Sequence, residues 1–148
     1  MTFTARLATE ADMPGIFAVR EAVFCGEQEV PPHLEVDGLD PACQHIALVT
    51  QDPVGEVIVG TARLREADGQ AKAERVCVAS SARGQGGGVL LMRALEQLAR
   101  ERGHSTLHLH AQVQVIPFYE ALGYIASGPT FDDAGIDHRA MRRNLLSG

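Results

Sequence analysis

The sequence predicts a mixed α/β fold, one sheet carrying helices on both of its faces. Val76 and Val78 flank Cys77 in an apolar, β-prone run that ends in a glycine-rich turn, and the turn opens an amphipathic helix. His45 to Thr50, Val54 to Leu64 and Thr106 to Ala111 have the composition and spacing of strands. A stretch near the N-terminus and another beginning at Pro117 have helical spacing instead. Strands and helices that intermingle along a chain stack as layers around one core, and 148 residues suit a single domain over residues 1–148.

Taken in order, Phe3 to Leu7 alternates and reads as a first strand. Thr9 is the N-cap of a helix running to about Phe24, with Ile16, Val19, Ala22 and Val23 on one helical spacing and Pro14 in its early part. Cys25 to Gln44 contains Gly26, Pro31, Pro32, Gly38 and Pro41 and reads as a long loop with a short helical turn. Loops of that length in a compact domain tend to be functional, so it is placed on the substrate side. Two strands joined at Asp52-Pro53 follow, and Ala67-Asp68-Gly69 marks a hairpin leading into Lys72 to Val78. The helix after the glycines runs from about Gly88 to Arg102, buries Leu91, Met92, Leu95, Leu98 and Ala99, and is ended by Gly103. After the strand Thr106 to Ala111 comes a helix with Pro117 in its first turn, closed by Gly123. Tyr124 starts another strand and His138 to Leu145 makes the last. The order is β-α-β-β-β-α-β-α-β-β, with no repeat or linker.

Chemistry concentrates in Arg83-Gly84-Gln85-Gly86-Gly87-Gly88. Successive N–H groups at a helix start, with no side chains in the way, favour an anion, and Arg83 adds a fixed positive charge. A dinucleotide fingerprint fails because Val89 or Leu91 stands where its last glycine belongs, and a Walker loop fails for want of a lysine. A phosphate cradle of another kind remains.

The hydrophobic content of 45% is that of a globular protein. A net charge of −6 disfavours nucleic acid as a partner. No apolar run is long enough to span a membrane, and Glu10 and Asp12 stand where a secretory signal is apolar. Cys25, Cys43 and Cys77 show neither a disulfide framework nor zinc spacing, so a cytoplasmic protein without a metal is expected. His108 and His110 share a strand face, but two ligands without a third make no metal site. Eight of the 19 acids and none of the 13 Lys and Arg residues fall between Glu21 and Ala62. An acidic segment in one half and a phosphate loop in the other suit an anionic cofactor and a cationic acceptor.

Arg83, Gly86 and Gly88 in an Arg-x-x-Gly-x-Gly pattern after a strand resemble the acyl-CoA pyrophosphate loop of the GNAT superfamily of N-acetyltransferases. Phe118-Tyr119-Glu120-Ala121-Leu122-Gly123-Tyr124 is similar to a second GNAT segment, and the element order resembles that fold over essentially the whole chain. Phe24-x-x-Glu27-Gln28-x-Val30-Pro31, Glu35-x-Asp37-x-x-Asp40, His45-x-Ala47, Ala111-Gln112 and Gly135-Ile136-x-His138-x-x-Met141 resemble the ElaA-like branch. The resemblance implies a partly antiparallel sheet, acetyl-CoA as donor, an amine acceptor, and homodimerisation as a family-level expectation. It implies that the amides of Gly84, Gln85, Gly86, Gly87 and Gly88, with Arg83, hold the pyrophosphate. The backbone of Val76, Cys77 and Val78 would pair with the pantetheine arm between two splayed parallel strands. Phe118 and Gln112 would touch the cofactor, and Tyr119 would sit by its sulfur; Gln112 and Gln114 stand where the family often has Asn.

Acetyl transfer to an amine needs a base for the amine, whose free pKa is about 10.4, and a proton for a thiolate whose acid has a pKa of roughly 8.5. Tyr119 is the candidate acid. Glu27 and Glu74 are the candidate bases, ahead of Glu29, Glu35, His45, His110 and His138. Cys77 reads as a buried, unactivated thiol. An acyl-CoA-binding or sensing module of the same fold is the alternative, and the glycine loop cannot choose between the two.

Overall fold

The computed structural model describes residues 1–146. A seven-stranded sheet has the order β1-β2-β3-β4-β5-β7-β6, formed by β1 (Thr4–Leu7), β2 (Gln44–Asp52), β3 (Gly55–Ala67), β4 (Gln70–Val78), β5 (Thr106–Gln112), β6 (Ile125–Asp133) and β7 (Ile136–Asn144). Every neighbouring pair is antiparallel except β4 and β5. Short turns join the antiparallel pairs β2–β3, β3–β4 and β6–β7, whereas the parallel pair needs a crossover helix. That helix is α3 (Gly87–Glu101).

One sheet face packs on α3. Leu91, Met92, Leu95 and Ala99 are wholly buried against Leu48, Leu64, Ala71, Leu107, Leu109 and Met141. Burying each large side chain contributes about 1.5–3 kcal/mol, so α3 is the main anchor of the domain. Glu96 on α3 is also fully buried, held by Tyr124 Oη at 2.8 Å, Arg93 at 2.8 Å and Arg143 at 2.9 Å.

The opposite face packs on α1 (Met13–Arg20), which places Ile16 against Ala47 and Val49. Thr9 begins this helical run with a capping box to Asp12. From Glu21 to Glu27 the helix widens into a π-helix, so the expected end at Phe24 is exceeded and Glu27 lies on helix rather than loop. The short α2 (Pro32–Glu35) follows, and α4 (Ile116–Ala121) comes after β5. β6 begins at Ile125 and continues through Gly128 and Pro129 to Asp133; a register shift between Ser127 and Phe131 absorbs the proline.

The acidic segment is divided: Glu21, Glu27, Glu29, Asp37, Asp52 and Glu56 are exposed, whereas Glu35 and Asp40 turn inward. Glu35 and Asp40 are buried and Arg20 and Arg63 are almost completely so. Arg20 donates to Glu35 at 2.5 Å and Asp40 at 2.7 Å; Arg63 donates to Asp40 and Asp37, each at 2.9 Å, and to Glu74 at 2.6 Å. Arg75 donates to the Glu35 carbonyl at 3.0 Å and lies 3.3 Å from an Asp37 oxygen. These arginines flank the acidic stretch in sequence and return to it in space, so Glu35, Asp37 and Asp40 serve an ion-pair network rather than a cationic-substrate surface.

Candidate active site

β4 and β5 pair only at Ala71↔Leu107, Lys72↔His108 and Ala73↔Leu109. Beyond Ala73 they diverge. The cause lies in β4: its register with β3 shifts between Thr61 and Arg63, and Arg75 adopts φ 55°. A bulge bends its strand, and a non-glycine residue at positive φ needs support from its surroundings. Arg75 receives that support from the carbonyls of Leu34 and Glu35. The divergence leaves the β5-facing edge of Glu74 to Val78 without a partner strand and opens a cleft of ≈ 560 Å³. Val76, Cys77, Val78, Tyr119, Glu27, Glu74, Arg83 and Gln112 all line it.

The glycine turn lies past the Arg83 end of this cleft. Gly84 and Gly86 have φ of 77° and 85° with open space around them, conformations that disfavour any side chain. Gly87 serves packing instead: a Cβ there would stand 2.6 Å from Leu48 Cδ2. The turn therefore leaves Gly84, Gln85 and Gly86 exposed at the positive end of a 15-residue helix. Arg83 donates from Nε to the Val78 carbonyl at 2.9 Å and from Nη2 to Glu27 at 2.6 Å. Gln85 accepts from the Met1 ammonium at 3.3 Å.

Tyr119 is 8% exposed, and its ring meets Phe118 and Tyr124 edge-on at 5.0 and 5.8 Å. Its hydroxyl has no hydrogen-bond partner among the described residues. Burial, with Cys77 beside it, pushes the phenol up to about 12. Cys77 is itself pushed up to about 12 by burial, which leaves it a protonated, unreactive thiol. Glu27 and Glu74 are both ion-paired carboxylates: Glu27 with Arg83 alone among the described residues, Glu74 Oε1 with Arg63 at 2.6 Å and Arg65 at 3.2 Å.

Two expected cofactor contacts, Phe118 and Gln112, are engaged within the protein. Phe118 does not line the cleft; its ring tip would stand 3.1 Å from a Cβ on Gly88, so it locks α4 against the start of α3. Gln112 lines the cleft, but its amide is engaged, donating to Gln28 at 2.7 Å and accepting from Gln114 at 2.7 Å, which ties β5 to the turn after the π-helix. His110 and His138 reach the cleft with Phe131 between them, at 4.9 and 6.0 Å from the two rings, so the imidazoles do not converge on a common point. Lys72, His108 and Arg65 also line the cleft and were not singled out in sequence as site residues. The alternation Lys72-x-Glu74 opposite His108-x-His110 was the available signal.

Residues 41–145 match the model of the acetyltransferase (GNAT) domain. The uncharacterized N-acetyltransferase YjcF of Bacillus subtilis (strain 168) is 42% identical over 136 residues, 91% of this chain and 94% of that protein. A crystal structure from Lactobacillus plantarum superposes with a TM-score of 0.87 at 28% identity, covering 99% of this chain and 100% of that one. Escherichia coli ElaA superposes with a TM-score of 0.79 at 25% identity, covering 97% and 99%.

Proposed function

From the premise that this chain belongs to the GNAT acetyltransferase family, we propose that it moves the acetyl group of acetyl-CoA directly onto a primary amine. The observation that carries this is the open edge of β4 running from the glycine turn to a buried phenol that has no protein partner. A binding or sensing module has no use for an uncommitted donor at that depth. The residues fit the donor. Free backbone from Glu74 to Val78 matches an amide-bearing arm that adds like a strand, and the α3 amides with Arg83 match a pyrophosphate.

Acetyl-CoA supplies an acetyl group activated as a thioester, with a thiol as leaving group. The amine nitrogen forms its bond to the acetyl carbon as the carbon–sulfur bond breaks. Tyr119 donates its hydroxyl hydrogen bond to the sulfur that gains charge. The nitrogen loses its proton to Glu27, the carboxylate we assign as base, directly or through a water. Glu27 is preferred over Glu74 because its ion pair is with Arg83, for which an anionic phosphate competes, whereas Glu74 is shared by two structural arginines. The unpaired β4 amides polarise the carbonyl.

The test is calorimetry with acetyl-CoA followed by a screen of primary amines for free-thiol release. Micromolar binding with amine-dependent release is expected. Binding without release from any amine would leave the sensing alternative standing.

A further inference from the structure

On the sheet face opposite α3, register partners place Arg65 of β3, Lys72 of β4, His108 of β5 and Arg142 of β7 side by side in one row across four adjacent strands. Their sequence neighbours Leu64, Ala71, Leu107 and Met141 are buried under α3, so alternation turns the whole row to the other side. Like charges directly opposite one another on a sheet are destabilising. Of the row, Arg65 has Glu74 at 3.2 Å, and that carboxylate is already shared with Arg63. Lys72 and Arg142 have no ion pair or hydrogen bond among the described residues. His108 is held toward its neutral form, first by burial and then by Arg142 and Lys72. The other acids expected to answer these charges, Glu35, Asp37 and Asp40, are consumed by Arg20, Arg63 and Arg75.

Arg65, Lys72 and His108 line the same cleft as Tyr119 and Glu27. Lys72 stands two residues along β4 from Glu74, about 7 Å. An ammonium at the wall of a cleft, with no ion pair among the described residues although Glu27, Glu74 and Asp133 line the same cleft, gains from an anion seated beside it. A polyamine or other purely cationic acceptor would meet Arg65 and Lys72 head-on.

We propose that this row is the anion subsite of the acceptor: the amine that is acetylated belongs to an amino acid or similar small molecule, and Lys72 selects it by its carboxylate. The proposal rests on the acetyl-transfer reading above and names the acceptor class. Lys72 acts as a specificity residue: it meets the far end of the acceptor and takes no part in the proton transfers at sulfur or nitrogen.

The experiment compares amines with and without the carboxylate: phenylalanine against phenethylamine, γ-aminobutyrate against butylamine, lysine against cadaverine. The expected kcat/KM ratio in the wild type favours the carboxylated member by about tenfold or more, near the worth of one charge-assisted hydrogen bond. Lys72→Gln should bring the ratio toward one and Lys72→Glu should invert it, with acetyl-CoA affinity unchanged and a melting temperature no lower than the wild type's, since the row loses a like charge. A second readout needs no turnover: N-acetylphenylalanine, but not its carboxamide, should shift the His108 ring resonances in the wild type and not in Lys72→Gln. Thiol release whose ratio ignores Lys72→Glu overturns the subsite and leaves acetyl transfer standing. Absence of release, with the Lys72-dependent shift intact, sustains the subsite and removes acetyl transfer. If neither signal appears, the row binds no carboxylate and the proposal is wrong.

Discussion

Replacing Tyr119 by phenylalanine removes one oxygen from a wall of the cleft and leaves the ring where it is. The hydroxyl makes no hydrogen bond within the described protein, so nothing in the fold loses a partner. The edge-on packing against Phe118 and Tyr124 is kept. The melting temperature should therefore stay within about 2 °C of the wild type. The catalytic effect can be sized from the phenol itself. Its proton leaves only near pH 12, well above the roughly 8.5 of a thiol, so handing it over completely is uphill by about 5 kcal/mol. Tyr119 therefore acts mainly by a hydrogen bond that strengthens as the sulfur gains charge, worth about 1.5–3 kcal/mol. That corresponds to a fall in kcat of roughly ten- to a hundredfold. Acetyl-CoA affinity should not change, because the bond matures only as the reaction proceeds. Because the pKa is raised, the neutral phenol persists through the alkaline range. The wild-type rate profile should then show no high-pH fall traceable to Tyr119 below about pH 11, about one pH unit short of its titration. The assay is thiol release under saturating acceptor, with calorimetry and thermal melts on both proteins. Full activity in Tyr119→Phe would refute the role at sulfur, and a matched loss of stability and binding would make the ring structural.

The remaining predictions concern the phosphate turn and the ion-pair network. Gly86→Ala meets no neighbouring atom, so its effect is that of φ 85° alone. About 1 kcal/mol of stability should be lost, and calorimetry should show weakened acetyl-CoA binding as the amides shift. Gly86→Asp adds a like charge and should abolish binding; unchanged affinity in both would show that the turn holds no phosphate. Glu35→Gln leaves Arg20 short of a counter-charge in a buried site and should destabilise the fold by about 3–5 kcal/mol in chemical unfolding. Asp37 is held well below the usual carboxylate range by its hydrogen bond from Arg63. Because that pKa is depressed in the fold, its stabilisation is complete above the unfolded value of about 3.9 and is lost as pH falls below it. Acid melts should accordingly decline below about pH 4, and less so in Asp37→Asn, which starts less stable.

Elements governed by local spacing were legible. The amphipathic α3 with glycines at both ends, the alternating β5 and the Gly123 stop all rest on patterns a few residues long. What could not be read was whatever depends on partners distant in sequence. Glu35, Asp37 and Asp40 look like a solvated acidic loop until Arg20, Arg63 and Arg75 are brought onto them. Glu27 looked like a loop residue because nothing in Glu21–Glu27 marks a π-helix, whose wider turn is chosen by packing. The same limit applies to the site. Tyr119, the glycines and the β4 backbone enter the candidate site through motifs. The second use of Phe118 as a wedge on Gly88 follows from the packing of α4 on α3, and the meeting of Lys72 with His108 from register between strands thirty-six residues apart.

The short β4–β5 pairing has a mechanical side. Three consecutive register pairs form the strand pairing between a four-stranded plate, β1 to β4, and a three-stranded one, β5-β7-β6. Such a joint resists shear along the strands yet yields to twist about its own line, as a short weld does between two stiff panels. The α3 helix spans the joint on one side, touching Leu48 and Leu64 of one plate and Leu107 and Met141 of the other, and works as a brace. On the opposite side the Gln28–Gln112 hydrogen bond is a light tie across the gap. Torque applied at the tips of β4 and β5 is thus concentrated on residues 71–73 and 107–109. The rigidity of the jaw is set there, by small alanines and two leucines beneath a brace, in the same three pairs that carry Lys72 and His108 on the other face.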